Sequence, residues 1–228
     1  MKKLMVLAVA LAATAGCSKD KSKQSEPVKQ APPAGQDQPT TPTTPTETKP
    51  VTPPPTSGAV IPAGTYEIDA GHSALIWRAQ HFGAGYTYGW FRDFSGSFVV
   101  DADPGKSSIE LTAKVESIDS NVKKRDDHLR SPDFFNAAQF PTLTFKSTKV
   151  EAAGALFKVT GDLNLHGVTK SITIDVKPVG SGVDPMNAMR AGYEAQVTID
   201  RMDYGIAFMP DGIGKKIDLT LAFEGVKK

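Results

Sequence analysis

Residues 109–116 read Ile-Glu-Leu-Thr-Ala-Lys-Val-Glu, an unbroken alternation of apolar and polar side chains. Because successive side chains of an extended strand point to opposite faces, this alternation predicts a β-strand with one apolar face and one polar face. The apolar face needs a partner surface, whereas the polar face is compatible with water. The stretch therefore favours an antiparallel sheet that is solvated on one side.

The same alternation returns along the rest of the C-terminal region, and no helical period recurs between the segments, which argues against a parallel α/β sheet. Eight antiparallel strands fit either a sandwich or a closed barrel. A barrel of this size fills its interior with side chains or holds one small ligand, and periodicity alone leaves that choice open. The predicted strands are centred on residues 73–81, 90–100, 109–115, 143–145, 157–165, 172–176, 193–199 and 217–223.

Two local signals refine this pattern. Gly96 inside the second predicted strand indicates a β-bulge. Ser131, Pro132 and Asp133 provide an N-cap, a proline at the first helical position and an acid in the first turn, which predicts that a short helix begins there. Residues 126–130 are expected to form one further helical turn.

Composition excludes several classes of protein. The chain has 228 residues and a net charge of +1, so it is not a strongly basic nucleic-acid binder. The N-terminal 60 residues account for +3 of this charge, which leaves residues 61–228 at −2 and makes nucleic acid a poor partner. A single cysteine excludes an intramolecular disulfide framework and a Cys-rich zinc module.

The N-terminus has the features of an export signal. A basic start, Met1-Lys2-Lys3, precedes an apolar run that is short for a membrane span, so residues 1–16 are predicted to be a signal peptide. Cleavage before Gly16 by ordinary signal peptidase is one possibility. The other is a lipoprotein, because Ala15-Gly16-Cys17 resembles the bacterial lipobox, although Thr14 stands where leucine is usual. We favour the lipoprotein, with acyl chains such as palmitate on Cys17, since the only cysteine of the chain lies at this position.

Residues 17–60 are predicted to be the lipidated N-terminus and a disordered Pro/Thr-rich tether. This region holds ten of the 17 prolines and none of the aromatic residues, all of which lie between Tyr66 and Phe223. Such a composition cannot bury enough apolar surface to offset its chain entropy. Resemblance to enteric lipoproteins implies that Ser18 after the cysteine, in place of aspartate, directs the protein to the outer membrane rather than the inner one. The tether would then hold a folded domain, residues 61–228, away from the membrane on the periplasmic side.

Motifs for catalysis are absent from the sequence. There is no Gly-x-Ser-x-Gly elbow, no His-Glu-x-x-His pair and no phosphate-binding loop. The four histidines do not form a close metal-ligating pair, and His81 is best interpreted as a hydrogen-bonded residue at a barrel mouth. The charged run Arg125–Arg130 is compatible with an acid–base site, but a cluster that caps and pins a helical turn is the favoured interpretation.

Several short motifs follow one another in order along the domain. They are His72-Ser73, Gly89-Trp90-Phe91, Phe94-Ser95-Gly96, Ser117-Ile118-Asp119, Arg125–Phe135, Phe140-Pro141, Gly161-Asp162-Leu163, His166–Thr169, Asp200-Arg201 and Tyr204-Gly205. With these motifs the domain resembles the YceI-like family of periplasmic lipid-binding proteins. That resemblance implies an all-β fold, an extended lipocalin-like eight-stranded antiparallel β-barrel with a short helical insertion at the Arg-Asp-x-His-Leu segment. It also implies an apolar tunnel for a long isoprenoid or a similar amphiphile.

The sequence thus predicts a non-enzymatic, lipid-anchored envelope protein that binds a polyisoprenoid, a quinone or a similar amphiphile, with no cofactor and no metal. A homodimer is compatible with the resemblance. Two alternatives stay open: an envelope structural or stress protein with a filled barrel, and an enzyme that uses His81 or the Asp126–His128 cluster. The predicted wall of the tunnel consists of Leu75, Trp77, His81, Phe91, Phe98, Leu111, Phe145 and Leu219.

Overall fold

The structure is a computed structural model and describes residues 60–228. The predictions for the signal peptide, for lipidation of Cys17 and for nearly all of the tether lie outside the described residues. Within 60–228, no helix is long and apolar enough to cross a bilayer.

The described residues form one antiparallel sheet of eleven strands and a single α-helix, α1 (Lys123–Arg130). Short 3-10 turns connect some of the strands, as at Ala70–His72 and Arg201–Tyr204. The strands are β1 (Gly64–Ile68), β2 (Ala74–His81), β3 (Gly85–Phe91), β4 (Phe94–Val100), β5 (Ser108–Lys114), β6 (Ile118–Asp119), β7 (Thr142–Ala153), β8 (Leu156–Leu165), β9 (Val168–Val183), β10 (Met189–Asp200) and β11 (Ile213–Lys227).

The eleven strands occupy eight positions around a closed barrel. Three of these positions are each filled by two short strands placed end to end. The first holds β1 and β2, the second holds β3 and β4 running in the opposite direction, and the third holds β5 and β6. Strands β7 to β11 then continue as neighbours in chain order, and β11 closes the ring by pairing with both β2 and β1. The predicted eight-stranded antiparallel barrel is therefore confirmed.

The junction between β1 and β2, which share one position of the barrel, has a local cause. Between β1 and β2, the Asp69 side chain accepts a hydrogen bond from the Gly71 N–H and caps a 3-10 turn. The Asp69 N–H still donates to the carbonyl of Glu224 on β11 at 2.8 Å, so the two strands stay attached to the same neighbour across the break. The barrel can bend at this point without losing closure.

The helix lies earlier than the sequence prediction placed it. Ser131 is the C-cap of α1, with φ −71° and ψ 169°, and its N–H donates to the carbonyl of His128. The expected helix start at Ser131 is wrong, because the N–H groups of Phe135 and Asn136 donate to the carbonyls of Leu129 and Ser131 and fold residues 132–135 into turns at the end of α1. The predicted turn at 126–130 forms the C-terminal part of α1.

The predicted bulge at Gly96 is also wrong. Gly96 pairs with Leu111 in regular register, and a Cβ at this position would collide with the backbone carbonyl of Glu110 on β5. The glycine permits close approach of two strands rather than an extra residue. Register shifts occur elsewhere, including between Ser147 and Lys149 and between Gly192 and Tyr193.

Aromatic side chains cluster at one end of the barrel. Tyr66 stacks on Phe98 with ring centroids 5.0 Å apart, and Phe98 meets Tyr193 and Phe223 edge-on at 5.5 and 5.3 Å. At the other end, α1 and the turns after it contribute apolar side chains to the core, among them Leu129. The middle of the barrel lies between these two layers.

Candidate functional site: an apolar tunnel with a cationic end

The interior of the barrel contains three cavities. The helix-end chamber, of about 240 Å³, lies next to α1 and is lined by residues such as Trp77, Leu129 and Ile199. The waist, of about 70 Å³, lies in the middle between residues such as Phe145 and Ala195. The distal chamber, of about 310 Å³, opens at the opposite end.

Shared walls place these cavities in a row. Leu143, Leu163 and Leu219 line both the helix-end chamber and the waist. A second set of residues lines both the waist and the distal chamber, namely Ile109, Val176 and Phe223. We call this row of cavities the tunnel. The three adjacent cavities together extend along the barrel, and this elongated arrangement suits a long-chain ligand.

The tunnel walls are apolar but incompletely packed. The waist has no charged residue in its lining. Leu219 and Leu221 point into the tunnel and are nevertheless only half-buried, since they border open space. Protein interiors are normally close-packed, so a row of cavities of this size is a feature of the barrel that calls for a functional explanation.

The structure places all eight predicted wall residues on the tunnel lining. Leu219 borders both the helix-end chamber and the waist. Their role as ligand contacts stays a prediction. By cavity, Trp77, His81 and Phe91 line the helix-end chamber, Leu75, Leu111 and Phe145 line the waist, and Phe98 lines the distal chamber.

Two arginines line the helix-end chamber. Arg201 is almost completely buried, and its guanidinium donates to the carbonyls of Gly214 at 3.0 Å, Ile206 at 2.6 Å and Ile213 at 2.8 Å. Burial lowers the pKa of Arg201, and the nearby Asp200 opposes this shift to a smaller extent. Arg125 on α1 is half-buried and donates to the hydroxyl and the carbonyl of Ser120 at 2.7 and 2.6 Å.

Histidines complete the polar part of this chamber. His128 Nε2 lies 2.8 Å from Asp133, and its ring is in edge contact with Phe134 and Phe208 at 5.0 and 5.1 Å. His81 at the end of β2 packs edge-on against Phe82 at 4.7 Å. Both imidazoles lie where the chamber meets solvent, and each is supported by an aromatic ring.

The carboxylates of the charged run face away from the tunnel. Asp126 is buried under the helix, where it accepts hydrogen bonds from the N–H and the hydroxyl of Ser120. Asp127 forms surface ion pairs with Lys123 at 2.8 Å and Arg130 at 3.2 Å. Neither acid lines the chamber. The run therefore pins the helix to the barrel, and its acids Asp126 and Asp127 are not directed at a substrate in the chamber.

One buried polar group in the tunnel wall lacks a hydrogen-bond partner among the described residues. The indole Nε1 of Trp77 is buried without a hydrogen bond. The Tyr193 side chain borders the distal chamber, and burial raises its pKa to about 12. Residues 60–228 contain no group of three or more His, Cys, Asp or Glu side chains that could hold a metal ion.

A closed antiparallel barrel with an open apolar interior defines the class of lipocalin-like barrels, which enclose a ligand rather than present it on a surface. The sequence matches the YceI-like domain over residues 66–225. The chain belongs to the YceI family, and the predicted family resemblance is confirmed.

Relatives and solved structures agree with this assignment. A UPF0312 protein of Pseudomonas aeruginosa and the protein YceI of Escherichia coli O157:H7 are each 40% identical over 169 residues, covering 73% of this chain and 88% of the relative. The Campylobacter jejuni YCEI protein has 26% identity and a TM-score of 0.59, covering 65% of this chain and 90% of that protein.

Two more distant structures share the fold. Burkholderia cenocepacia BcnA has a TM-score of 0.64 at 21% identity, covering 69% of this chain and 98% of BcnA. A polyisoprenoid binding domain from Saccharophagus degradans has a TM-score of 0.57 at 16% identity, covering 73% of this chain and all of that domain.

Sequence reasoning missed part of the helix-end chamber. Arg201 begins the 3-10 turn Arg201–Tyr204 after β10, and its guanidinium borders the cavity, although the sequence prediction of the wall did not include it. Phe208 and Met209, in the loop after that turn, also line the chamber.

Proposed function

We propose that this protein binds a long-chain amphiphile, a polyisoprenoid or a quinone, in the tunnel of its barrel, and that it does so without catalysis. The row of three cavities carries this proposal. Because burial of apolar chain contributes about 0.8 kcal/mol per CH₂ group, an apolar tunnel can retain a long chain tightly without any reactive group.

The comparisons support the ligand class. The chain belongs to the YceI family, and a solved structure with the same fold is described as a polyisoprenoid binding domain. The elongated form of the tunnel suits an isoprenoid chain better than a compact ligand. A filled-barrel structural role is less consistent with cavities of about 240 and 310 Å³ at the two ends.

The cellular setting is part of the same proposal. We infer from the N-terminal sequence that acyl chains on Cys17 anchor the protein on the periplasmic side of a bacterial envelope, on the outer rather than the inner membrane. The Pro/Thr-rich tether then gives the barrel access to lipids of that membrane. A homodimer is compatible with this arrangement but is not required by it.

The test is native mass spectrometry of residues 58–228, produced in a bacterial envelope and purified without detergent. All the strand pairings that close the barrel lie within residues 60–228, so this segment contains the complete fold. We expect a stoichiometric mass increase, and organic extraction of the sample identifies the compound. A ligand-free mass that persists after incubation with polyprenols, quinones and fatty amphiphiles would favour the filled-barrel alternative.

A further inference from the structure

Three bulky apolar side chains project into solvent around the mouth of the helix-end chamber. Phe82, in the turn between β2 and β3, is 59% exposed, and Phe208 and Met209, in the loop before β11, are 36% and 43% exposed. Phe208 and Met209 also line the chamber, so they border the cavity and solvent at once. We call these three residues the rim. Single exposed apolar side chains are ordinary, but a cluster around the opening of an apolar cavity indicates a contact surface.

Packing joins the rim into one patch. The N–H of Phe82 donates to the carbonyl of Gly212 at 2.7 Å, which ties the two loops together. A Cβ at Gly212 would lie 2.9 Å from the ring of Phe82 and 3.2 Å from the methyl group of Met209, so both side chains pack over this glycine. The ring of Phe208 is supported by His128, with centroids 5.1 Å apart. The three side chains therefore form one supported surface.

The backbone of the rim adopts an unfavourable conformation. Six non-glycine residues of the described chain have a left-handed φ, and four of them are Asn or His, which tolerate this region. The other two are Phe82, with φ 47°, and Met209, with φ 51°. Such backbone is an outlier for bulky side chains, and strain of this kind concentrates at functional sites. A turn that only connected strands would place glycine or asparagine at these positions.

The charges around the rim suit an anionic bilayer. The two rim loops contain one charged residue, Asp211. Helix α1 lies beside the rim, where it contacts Phe208, and its first three residues are basic, namely Lys123, Lys124 and Arg125. Lys124 is exposed and forms no ion pair with a carboxylate of the described residues. Basic residues beside an apolar aromatic patch are typical of surfaces that bind the headgroup region of anionic membranes.

From these observations we propose that the rim docks on the surface of an anionic lipid bilayer, with the mouth of the helix-end chamber facing the membrane. In this position a long-chain amphiphile passes between the bilayer and the tunnel without crossing water. This transfer rests on the proposed binding function, whereas docking itself requires no ligand. The rim enters the headgroup region, as aromatic and large apolar side chains do at membrane interfaces.

The length of the predicted tether permits this orientation. Val60 and Ile61 line the distal chamber, so the N-terminal segment joins the barrel at the end opposite to the rim. Extended Pro-rich chain covers about 3.1 Å per residue, so residues 18–60 can reach up to roughly 130 Å. Strand β11, with 15 residues, spans only about 50 Å. A protein anchored at Cys17 can therefore turn its rim back toward the same membrane.

The distal end of the barrel is the competing docking surface. Val183 and Met186, near the tip of the β9–β10 hairpin, are exposed, Met186 to 79%. Among the described residues at this end, the exposed apolar side chains include no aromatic ring. The left-handed residue of the hairpin is Asn187, which tolerates that backbone. The chamber is lined by the carboxylate of Asp101 and by no basic residue. The rim is thus the better membrane surface, and Met186 supplies a matched control for Met209.

The experiment measures binding of delipidated residues 58–228, with no ligand added, to vesicles of phosphatidylethanolamine and phosphatidylglycerol by co-flotation. This segment lacks Cys17, so acyl chains do not contribute. Phe82→Asn and Met209→Asn keep the net charge and place at each left-handed position a residue that tolerates it. We expect each to lower the partition coefficient at least about fivefold, because an apolar side chain is lost from the interface. Met186→Asn should change it by less than about twofold.

A second measurement connects docking with transfer. Phe82 does not line the chamber, so Phe82→Asn should bind geranylgeraniol in solution within about threefold of the unmodified protein. The rate at which the variant extracts geranylgeraniol from the same vesicles should nevertheless fall at least about fivefold, since the docked state is less populated. An unchanged rate of extraction would refute transfer through the docked mouth.

The possible results separate docking from ligand binding. Docking through the rim is refuted if the unmodified protein does not bind vesicles, or if Met186→Asn weakens binding as much as Met209→Asn does. If the protein binds vesicles through the rim but does not bind geranylgeraniol in solution, docking stands and the proposed binding function is wrong. Self-association that is lost in Met209→Asn, without any binding to vesicles, would assign the rim to a second copy of the chain and overturn the proposal.

Discussion

Closing the waist of the tunnel should limit the length of chain that the protein binds. Ala195 on β10 is buried, lines the waist, and lies between Val176 on β9 and Leu221 on β11. In Ala195→Leu an isobutyl group replaces a methyl group in a cavity of about 70 Å³. We expect the larger side chain to occupy the waist and to separate the helix-end chamber from the distal chamber.

The expected loss of affinity follows from the volumes of the two chambers. The distal chamber, about 310 Å³, is larger than the helix-end chamber, about 240 Å³, so a plug at the waist removes more than half of the space open to a chain. Each isoprene unit that stays outside forfeits up to about 4 kcal/mol of burial, at roughly 0.8 kcal/mol for each of its carbons. Affinity for a long probe should therefore weaken by at least about 100-fold, whereas a short probe changes by less than about threefold.

The assay measures dissociation constants for geraniol, farnesol and geranylgeraniol. In the unmodified protein affinity should rise with each added isoprene unit, and in Ala195→Leu the rise should stop once the chain reaches the plug. The matched control is Ala222→Leu on β11, a half-buried position that lines none of the three cavities. Thermal unfolding checks that overpacking, at about 1–3 kcal/mol, has not unfolded the barrel. An unchanged dependence on chain length in Ala195→Leu would refute a ligand that crosses the waist.

Two further predictions concern stability. The hydrogen bond from Arg190, with that of His72, lowers the pKa of Asp69 from 3.8 to about 2. Since the folded-state pKa lies below the unfolded one, this stabilisation is complete above pH 3.8 and is lost as the pH falls through 2. Urea titrations across this range should show the loss, and Asp69→Asn should reduce it. Separately, Gly89→Ala should cost about 1–3 kcal/mol of unfolding free energy, because its Cβ would collide with the indole of Trp77. Gly85→Ala on the same strand, with open space around its Cβ, should cost much less, and equal losses would contradict the packing argument.

Local pattern predicted most of the strands, but it missed β1 and β6 and joined the end of β3 to β4 as one strand at 90–100. The alternation at 109–116 reappears as β5, in which Ile109, Leu111 and Ala113 are buried and the residues between them are exposed. This works because the side-chain period of a strand is a local property of the backbone. The helix start at Ser131 failed because the N–H groups of Phe134 and Phe135 donate to the carbonyls of Ser131 and Leu129, which forms turns around the end of α1 and no new helix.

The distances between neighbouring strands could not be predicted from the local sequence pattern. A glycine inside a predicted strand, such as Gly96, is typical of a bulge. In the structure Gly96 instead leaves room for the backbone carbonyl of Glu110, which approaches closely from β5. The same holds for Gly89, which leaves room for the indole of Trp77 on β2. In both cases the reason for glycine lies on another strand, and a sequence does not state the distance between strands.

The sequence by itself determined that this is an antiparallel all-β domain of the YceI family, and it identified which side chains face inward. Both conclusions were possible because strand periodicity and ordered motifs are local properties of the sequence. Only the tertiary structure decided that the interior is hollow, since the space inside a barrel depends on how eight strand positions close on one another. It also decided the charge of the helix-end chamber. Arg125, Arg201 and His81 come from segments far apart in sequence, and closure of the barrel brings them to one cavity while the carboxylates beside them turn to the surface or into the helix packing.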